Sequence, residues 1–295
     1  MSTDGTLQQL QQTSGVDVII NDSPVFDERH RQRLLLDRAR RIDGKRILIA
    51  LDADEAISAN FVSSKEWQQL DTVKPGTILR FRWVNILPGF EYAWIPSQPT
   101  VFGFVDDGSD HQGSRIHSTR VPHPAGAPTL DLQDVVVLHF QYVVWERMVS
   151  KQRWYQAWEL LKHRQKGPLQ IFREYNHMYG GWAKDEIHRV KPEWLDGYER
   201  AGIDFRSLKS EPITWWDSEL VEMLREHGPD RFRKLAIWNK DWNAVADQLS
   251  LEHADLSDPR SFGEKMAHRL LASSQRNRGA LPVRALERCL RAAGW

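Results

Sequence analysis

The chain has a single cysteine, Cys289, in 295 residues. That excludes an internal disulfide framework and any zinc site built from several thiolates. It has no surplus of charge: 40 Lys plus Arg stand against 40 Asp plus Glu. A balance of this kind offers no electrostatic case for nucleic acid as a partner. No apolar run nears the ~20 residues that cross a bilayer, so no transmembrane segment is expected. The polar opening MSTDGTLQQLQQ lacks the pattern of a secretory signal. Internal repeats and low-complexity tracts are absent as well. These absences point to a globular chain in a reducing, cytoplasmic setting. Peripheral contact with a membrane stays open because the second half is rich in aromatics, although no strongly basic amphipathic stretch supports it.

Tryptophan is plentiful, with 13 in the chain, most of them beyond residue 140. Large core residues that pin helices together, aromatic platforms for a sugar, and anchors at a membrane surface are the three readings. Core packing is the expected one, because bulky aromatics are mostly buried.

The first half alternates in character. Leu7 to Gln12 reads as a helix with Thr3 or Asp4 as its N-cap, and the β-branched run Val16 to Ile20 as a strand. Asp27 to Ile42 reads as a charged helix with Leu34, Leu35 and Ala39 on its apolar face. Arg46 to Leu51 is apolar on both faces, as a strand covered by helices would be. Strand, helix, strand without a hairpin turn predicts a parallel α/β sheet, whose ligands bind beyond the carboxyl ends of the strands. Strands are expected at Thr77 to Leu87, Tyr92 to Ile95, Val101 to Val105 and Asp134 to Gln141. A polar loop from Asp106 to Pro128 interrupts them. Beyond Tyr142 helices dominate: one from Trp145, then Ser218 to His227 closed by Gly228-Pro229, Arg231 to Leu249, Glu264 to Ser273 and Val283 to Ala293. The expected boundary lies near Trp145, giving an α/β domain over 1–144 and a helical region over 145–295.

The chemistry concentrates in KRILIALDADE, residues 45 to 55, where an apolar strand runs into Asp52-Ala53-Asp54-Glu55. Carboxylates so close repel one another. A solvated turn needs no ligand. A divalent-metal site would relieve the repulsion with Mg²⁺ or Mn²⁺ on oxygen ligands. A phosphatase would use the first Asp as nucleophile. The pattern resembles the haloacid dehalogenase-like family too, but that family has Thr or Val where this chain has Ala56.

A second motif weights these readings. Ser2-Thr3-Asp4-Gly5-Thr6 resembles the STDGT that precedes the first helix of family 2 glycosyltransferases. The run Val16 to Ile20, the Arg-bearing RQRLLLDRAR and then LDADE follow in that family's order and spacing. A looser likeness continues through FVDDG, IHSTRVP and VLHFQY to about Lys151, and none is recognised after about residue 180. The resemblance implies a GT-A fold: a mixed sheet flanked by helices, here with a helical C-terminal region. It implies metal-dependent, inverting transfer of a sugar from a nucleotide diphosphate sugar, of the UDP type, to a glycan, lipid or protein acceptor. Asp52 would face the sugar or ribose, and Asp54 with His139 would ligate Mn²⁺ or Mg²⁺, which neutralises the leaving diphosphate. Glu55 would support that site or stand exposed. Inversion needs a carboxylate base, and Asp106 and Asp107 are the candidates, with Glu91 in reserve; a turn is the other reading of Asp-Asp-Gly. His117 and Arg120 would hold phosphate or acceptor, and Arg31 and Arg33 would lie near the nucleotide. Lys151 would approach the diphosphate or sit on a solvated helix face, and His139 has a second reading as a buried neutral core histidine.

Full family members carry a strand and an Asp-bearing loop ahead of STDGT. The resemblance, beginning at residue 2, therefore implies a domain shortened at its N-terminus. A degenerate, non-catalytic relative serving as a binding or scaffold module is the rival, and a sheet completed from elsewhere the third possibility.

Overall fold

In a computed structural model, the structure describes residues 5–21, 23, 27–115, 118–162, 165–180, 182, 184–209 and 211–295. The architecture is mixed α/β: seven strands form an antiparallel sheet flanked by helices. In chain order the strands are β1 (Ile47–Ile49), β2 (Glu55–Ile57), β3 (Ile78–Ile86), β4 (Tyr92–Trp94), β5 (Thr100–Val105), β6 (Thr129–His139) and β7 (Ile187–Arg189). Hydrogen bonding runs β1-β5-β3-β4-β7, with β6 joined to β3 and β2 to β6. The helices are α1 (Thr6–Gln12), α2 (Glu28–Ala39), α3 (Lys65–Gln68), α4 (Trp145–Lys162), α5 (Pro168–Tyr175), α6 (Asp196–Arg200), α7 (Trp215–His227), α8 (Trp242–Gln248), α9 (Phe262–Ser273) and α10 (Leu281–Ala292). None of the described helices is long and apolar enough to cross a membrane.

The chain divides into two compact units that are not contiguous in sequence. The first takes Met1–Val84, Pro96–Leu138 and Pro192–Gly197. Its core is built from alternate residues of the strands: Leu79 and Phe81 of β3, Phe102 of β5, and Leu132, Val135 and Val137 of β6, with Leu70 closing one side. On the opposite face Ile78, Phe104 and Val121 pack with Leu36 of α2 and with Leu48 and Ala50. Gly103 permits the β1–β5 pairing to close, since a Cβ there would stand 2.5 Å from the Leu48 carbonyl oxygen.

The second unit takes Asn85–Ile95, His139–Lys191 and Tyr198–Trp295. Its main core joins Ala157 of α4, Ile171 of α5 and Leu220, Val221 and Leu224 of α7 to Phe232, Ile237 and Trp242. Three of its helices start at side-chain caps written in the sequence. Thr214 and Asp217 form a capping box on α7, Ser261 and Glu264 one on α9, and Asp241 caps α8 through the Ala244 amide. Met148, Tyr142, Trp94, Trp145 and Trp182 form a smaller aromatic-rich cluster.

Three expectations are corrected. The sheet is antiparallel where a parallel one was predicted. The βαβ reading required Val16 to Ile20 as a strand beside β1, and that run joins no strand. Asp17 is tied to Arg38 of α2, while Val16 and Ile20 remain exposed. β1 pairs instead with β5, in antiparallel register from Ile47–Val105 to Ile49–Gly103. The single helix expected over 231–249 is broken, because Phe232, Leu235, Ile237 and Trp238 are all buried at spacings one helical face cannot supply. The indole N–H of Trp238 donates to the Phe232 carbonyl and that of Trp242 to the Ile237 carbonyl, which holds the non-helical path. On α2, Leu35 is exposed and Leu36 makes the core contact. The expected caps Thr3 and Asp4 lie outside the described residues.

Candidate active site

β1 delivers the chain to the acidic turn. The Glu55 amide donates to the Asp52 carbonyl at 3.0 Å, and the Asp52 amide donates to Glu55 Oε2 at 2.8 Å. Glu55 thereby points inward as β2 begins, and its side chain is fully buried. A buried carboxylate needs a counter-charge or several donors. Glu55 has both. Arg120 donates to it through Nη1 (2.5 Å) and Nη2 (3.0 Å), and the Trp83 indole N–H adds a third contact at 3.1 Å. The same guanidinium reaches Asp52 Oδ2 through Nη2 at 2.9 Å and the Ala50 carbonyl through Nη1 at 3.3 Å. It lies 4.7 Å from the Phe102 ring centroid, a cation–π contact on its face. An internal arginine therefore answers the repulsion between two of the three carboxylates. Asp54 is half-buried at the tip of the turn.

Arg120 is carried by the polar loop, and α2 fixes that loop. Glu28 Oε2 accepts from the Ser118 amide at 2.6 Å. Gln32 donates to the Thr119 carbonyl at 2.8 Å and accepts from the Ser118 hydroxyl at 2.8 Å. Arg33 pairs with Asp110 and with Asp37. A Cβ on Gly113 would displace Gln32 Oε1 and Ser118 Oγ, two of the side-chain atoms that hold the loop to α2. The His111 ring stacks on Phe104, with centroids 4.2 Å apart.

The other end of the loop is held by Asp106. Its side chain is fully buried between two guanidinium groups: Arg40 (Nη2, 2.7 Å) and Arg46 (Nε, 2.9 Å). The Gly108 amide donates to it at 3.1 Å. Burial alone would push this carboxyl up, but the hydrogen bonds from Arg40, Gly108 and Arg46 outweigh it and hold the group down at about 2. A carboxylate so stabilised is a weak proton acceptor. Asp107 is exposed, and its Oδ1 accepts from the Ser109 amide at 2.9 Å. Hydrogen bonds from Ser109 lower this carboxyl.

Between α2, β1 and the loop lies a cleft of about 570 Å³, within the usual range for small-molecule sites. Its apolar lining comes from Leu35, Leu36, Ala39, Leu48, Ile49 and Phe104. Its polar lining comes from Glu28, Arg31, Gln32, Asp52, His111, Ser118 and Arg120. Arg31, Asp52 and Arg120 of the expected set thus meet in one cleft. Arg33 faces a separate depression with Asp27, His30 and Asp110. Asp106 and Asp107 line neither cavity.

His139, Lys151 and Glu91 belong to the second unit. Nδ1 of the buried His139 meets Asn85 Oδ1 at 2.7 Å. Lys151 donates to Gln141 Oε1 at 3.0 Å, and Glu91 is an exposed partner of Arg189 at 3.5 Å. His117 lies outside the described residues. Glu55, a supporting or exposed group on the sequence alone, is the buried centre of the turn. The anchors Arg40, Arg46, Phe102 and Trp83 were not foreseen. The only sequence signal was the basic Arg40-Arg41 and Lys45-Arg46, charged residues flanking a strand.

Among the described residues, no group of three or more His, Cys, Asp or Glu side chains is arranged to hold a metal ion. The donor chemistry of the turn still suits a hard divalent cation, which is commonly bound by one or two carboxylates together with substrate phosphates. Asp52 and Asp54 are the residues that would hold it. No family model, curated protein or solved structure matches this chain.

Proposed function

We propose that the chain is a metal-dependent glycosyltransferase of the GT-A type, moving a sugar with inversion from a nucleotide diphosphate sugar, UDP-linked, to a hydroxyl-bearing acceptor. One observation carries the reading: Asp52, which opens the acidic turn beyond β1, lines a cleft that Arg31 and Arg120 also line. Carboxylates beside guanidinium groups are what a diphosphate and its counter-ion together demand. A bound divalent cation would supply charge neutralisation to the leaving nucleoside diphosphate. Asp52 and Asp54 orient that end of the donor, and Arg31 contributes a cation at the cleft wall. Of the two candidate bases, neither of which lines the cleft, Asp107 alone keeps an accessible carboxylate, since Asp106 is committed to Arg40 and Arg46.

A second reading has an observation of its own. Arg120 already satisfies Asp52 and Glu55, as it would in a relative that binds without catalysing. Isothermal titration with UDP and UDP-sugars, with and without Mn²⁺, tests both. The enzyme reading expects metal-dependent binding that Asp54→Ala abolishes, and turnover that Asp107→Ala lowers while binding is spared. Normal Mn²⁺ and nucleotide binding by Asp54→Ala overturns the site. Binding without turnover for any acceptor class favours the non-catalytic module.

A further inference from the structure

β1 lies at one end of the sheet, and among the described residues its only strand partner is β5. The Ala50 amide donates to the Phe102 carbonyl at 2.8 Å and the Asp106 amide to the Arg46 carbonyl at 2.9 Å. That parity turns the backbone groups of Arg46, Leu48 and Ala50 toward β5, and those of Ile47, Ile49 and Leu51 outward. No described residue hydrogen-bonds these outward groups. Exposed strand edges are ordinarily blunted by proline, a bulge or an inward charge. Ile47 to Leu51 has none of these, and Leu35 and Leu51 stand 54% and 39% exposed along the same cleft. The spaced row of donors and acceptors fits an extended strand and no other occupant equally well.

The sequence of the edge indicates whose strand it is. Arg46 and Asp52 stand at equal distances on either side of Ile49. We propose that β1 pairs antiparallel with β1 of a second copy of this chain, about a two-fold axis at Ile49, extending the sheet across a homodimer. In that register Ile47 lies opposite Leu51 and Arg46 opposite Asp52 of the other copy, twice over by symmetry. The outward groups of all three odd-numbered residues find partners. A parallel pairing in register would set Arg46 against Arg46 and Asp52 against Asp52, so the charge pattern selects the antiparallel arrangement. Arg46 and Asp52 keep their internal partners Asp106 and Arg120, and their opposite charges add across the interface; because Leu48, Ile49, Leu51 and Asp52 also line the cleft, the paired edge and a donor-filled cleft are alternative states.

The test is sedimentation velocity on the full chain, paired with hydrogen exchange at low and high protein concentration. The pairing expects a dimer, with Ile47, Ile49 and Leu51 amides exchanging at least ~10-fold more slowly at high concentration. Leu51→Lys places a charge on the exposed edge and is expected to return the chain to monomer with concentration-independent exchange. A wild-type chain that stays monomeric overturns the proposal. So does a dimer that survives Leu51→Lys, or one whose 47–51 amides exchange at the same rate at every concentration.

Discussion

Replacing Asp106 with Asn separates an anchoring role for this carboxylate from a catalytic one. The side chain is fully buried and accepts from Arg40, Arg46 and the Gly108 amide. The carboxyl is held at about 2, against an ordinary value of 3.8. A carboxyl depressed in the folded state stabilises it fully above the unfolded value and loses that contribution as pH falls through the folded one. The difference amounts to about 2 kcal/mol, present above pH ~4 and gone below pH ~2. Asp106→Asn keeps the shape, removes the charge and leaves two guanidinium groups facing each other, so a loss of about 2–4 kcal/mol is expected. Urea unfolding at pH 7 measures it as a lower midpoint at unchanged slope. The wild type should also lose stability between pH 4 and 2 more steeply than the variant. An Asp106→Asn protein with wild-type stability and no turnover would refute the anchor and restore the base.

Further outcomes follow from other anchors. Arg120→Ala strands the buried Glu55 and should cost about 3 kcal/mol, whereas the double change Arg120→Met with Glu55→Leu should recover most of it, both read by urea unfolding. Gly113→Ala forces a Cβ onto Gln32 and Ser118, and limited proteolysis should cut the 106–128 loop faster. His268 is buried, with Nδ1 3.1 Å from Arg260 Nη1 and Nε2 3.1 Å from the Lys234 carbonyl. Burial, chiefly, and the Arg260 charge push it down to about 4. Its stabilising contribution is complete above the ordinary histidine value near 6.5 and should fall by about 3 kcal/mol as pH drops from 6.5 to 4. His268→Gln should flatten thermal unfolding midpoints across that window.

Much of the fold was legible where local pattern and local structure agree. Helices α2, α7, α9 and α10 begin and end within a few residues of their expected bounds, and α4 begins at Trp145 as expected, because caps such as Asp27, Thr214 and Ser261 and the stop at Gly228 are written in the chain. Strand pairing was not legible. An apolar run such as Ile47 to Leu51 has the same pattern beside a parallel or an antiparallel neighbour, and only the distant β5 decides between them. The site divides in the same way. The acidic turn announced itself, but the cation that holds it, Arg120, comes from a loop 65 residues beyond Glu55. The Asp-Asp-Gly motif gave no hint that Arg40 and Arg46, 66 and 60 residues away in sequence, bond to Asp106. Ion pairs of that range leave no spacing signature.

The most direct test of the central claim is a crystal of this chain soaked with UDP and Mn²⁺. The account predicts the diphosphate in the cleft beside Arg31 and Arg120, with the metal on Asp52 or Asp54. A nucleotide bound elsewhere, or none at saturating concentration, would contradict it.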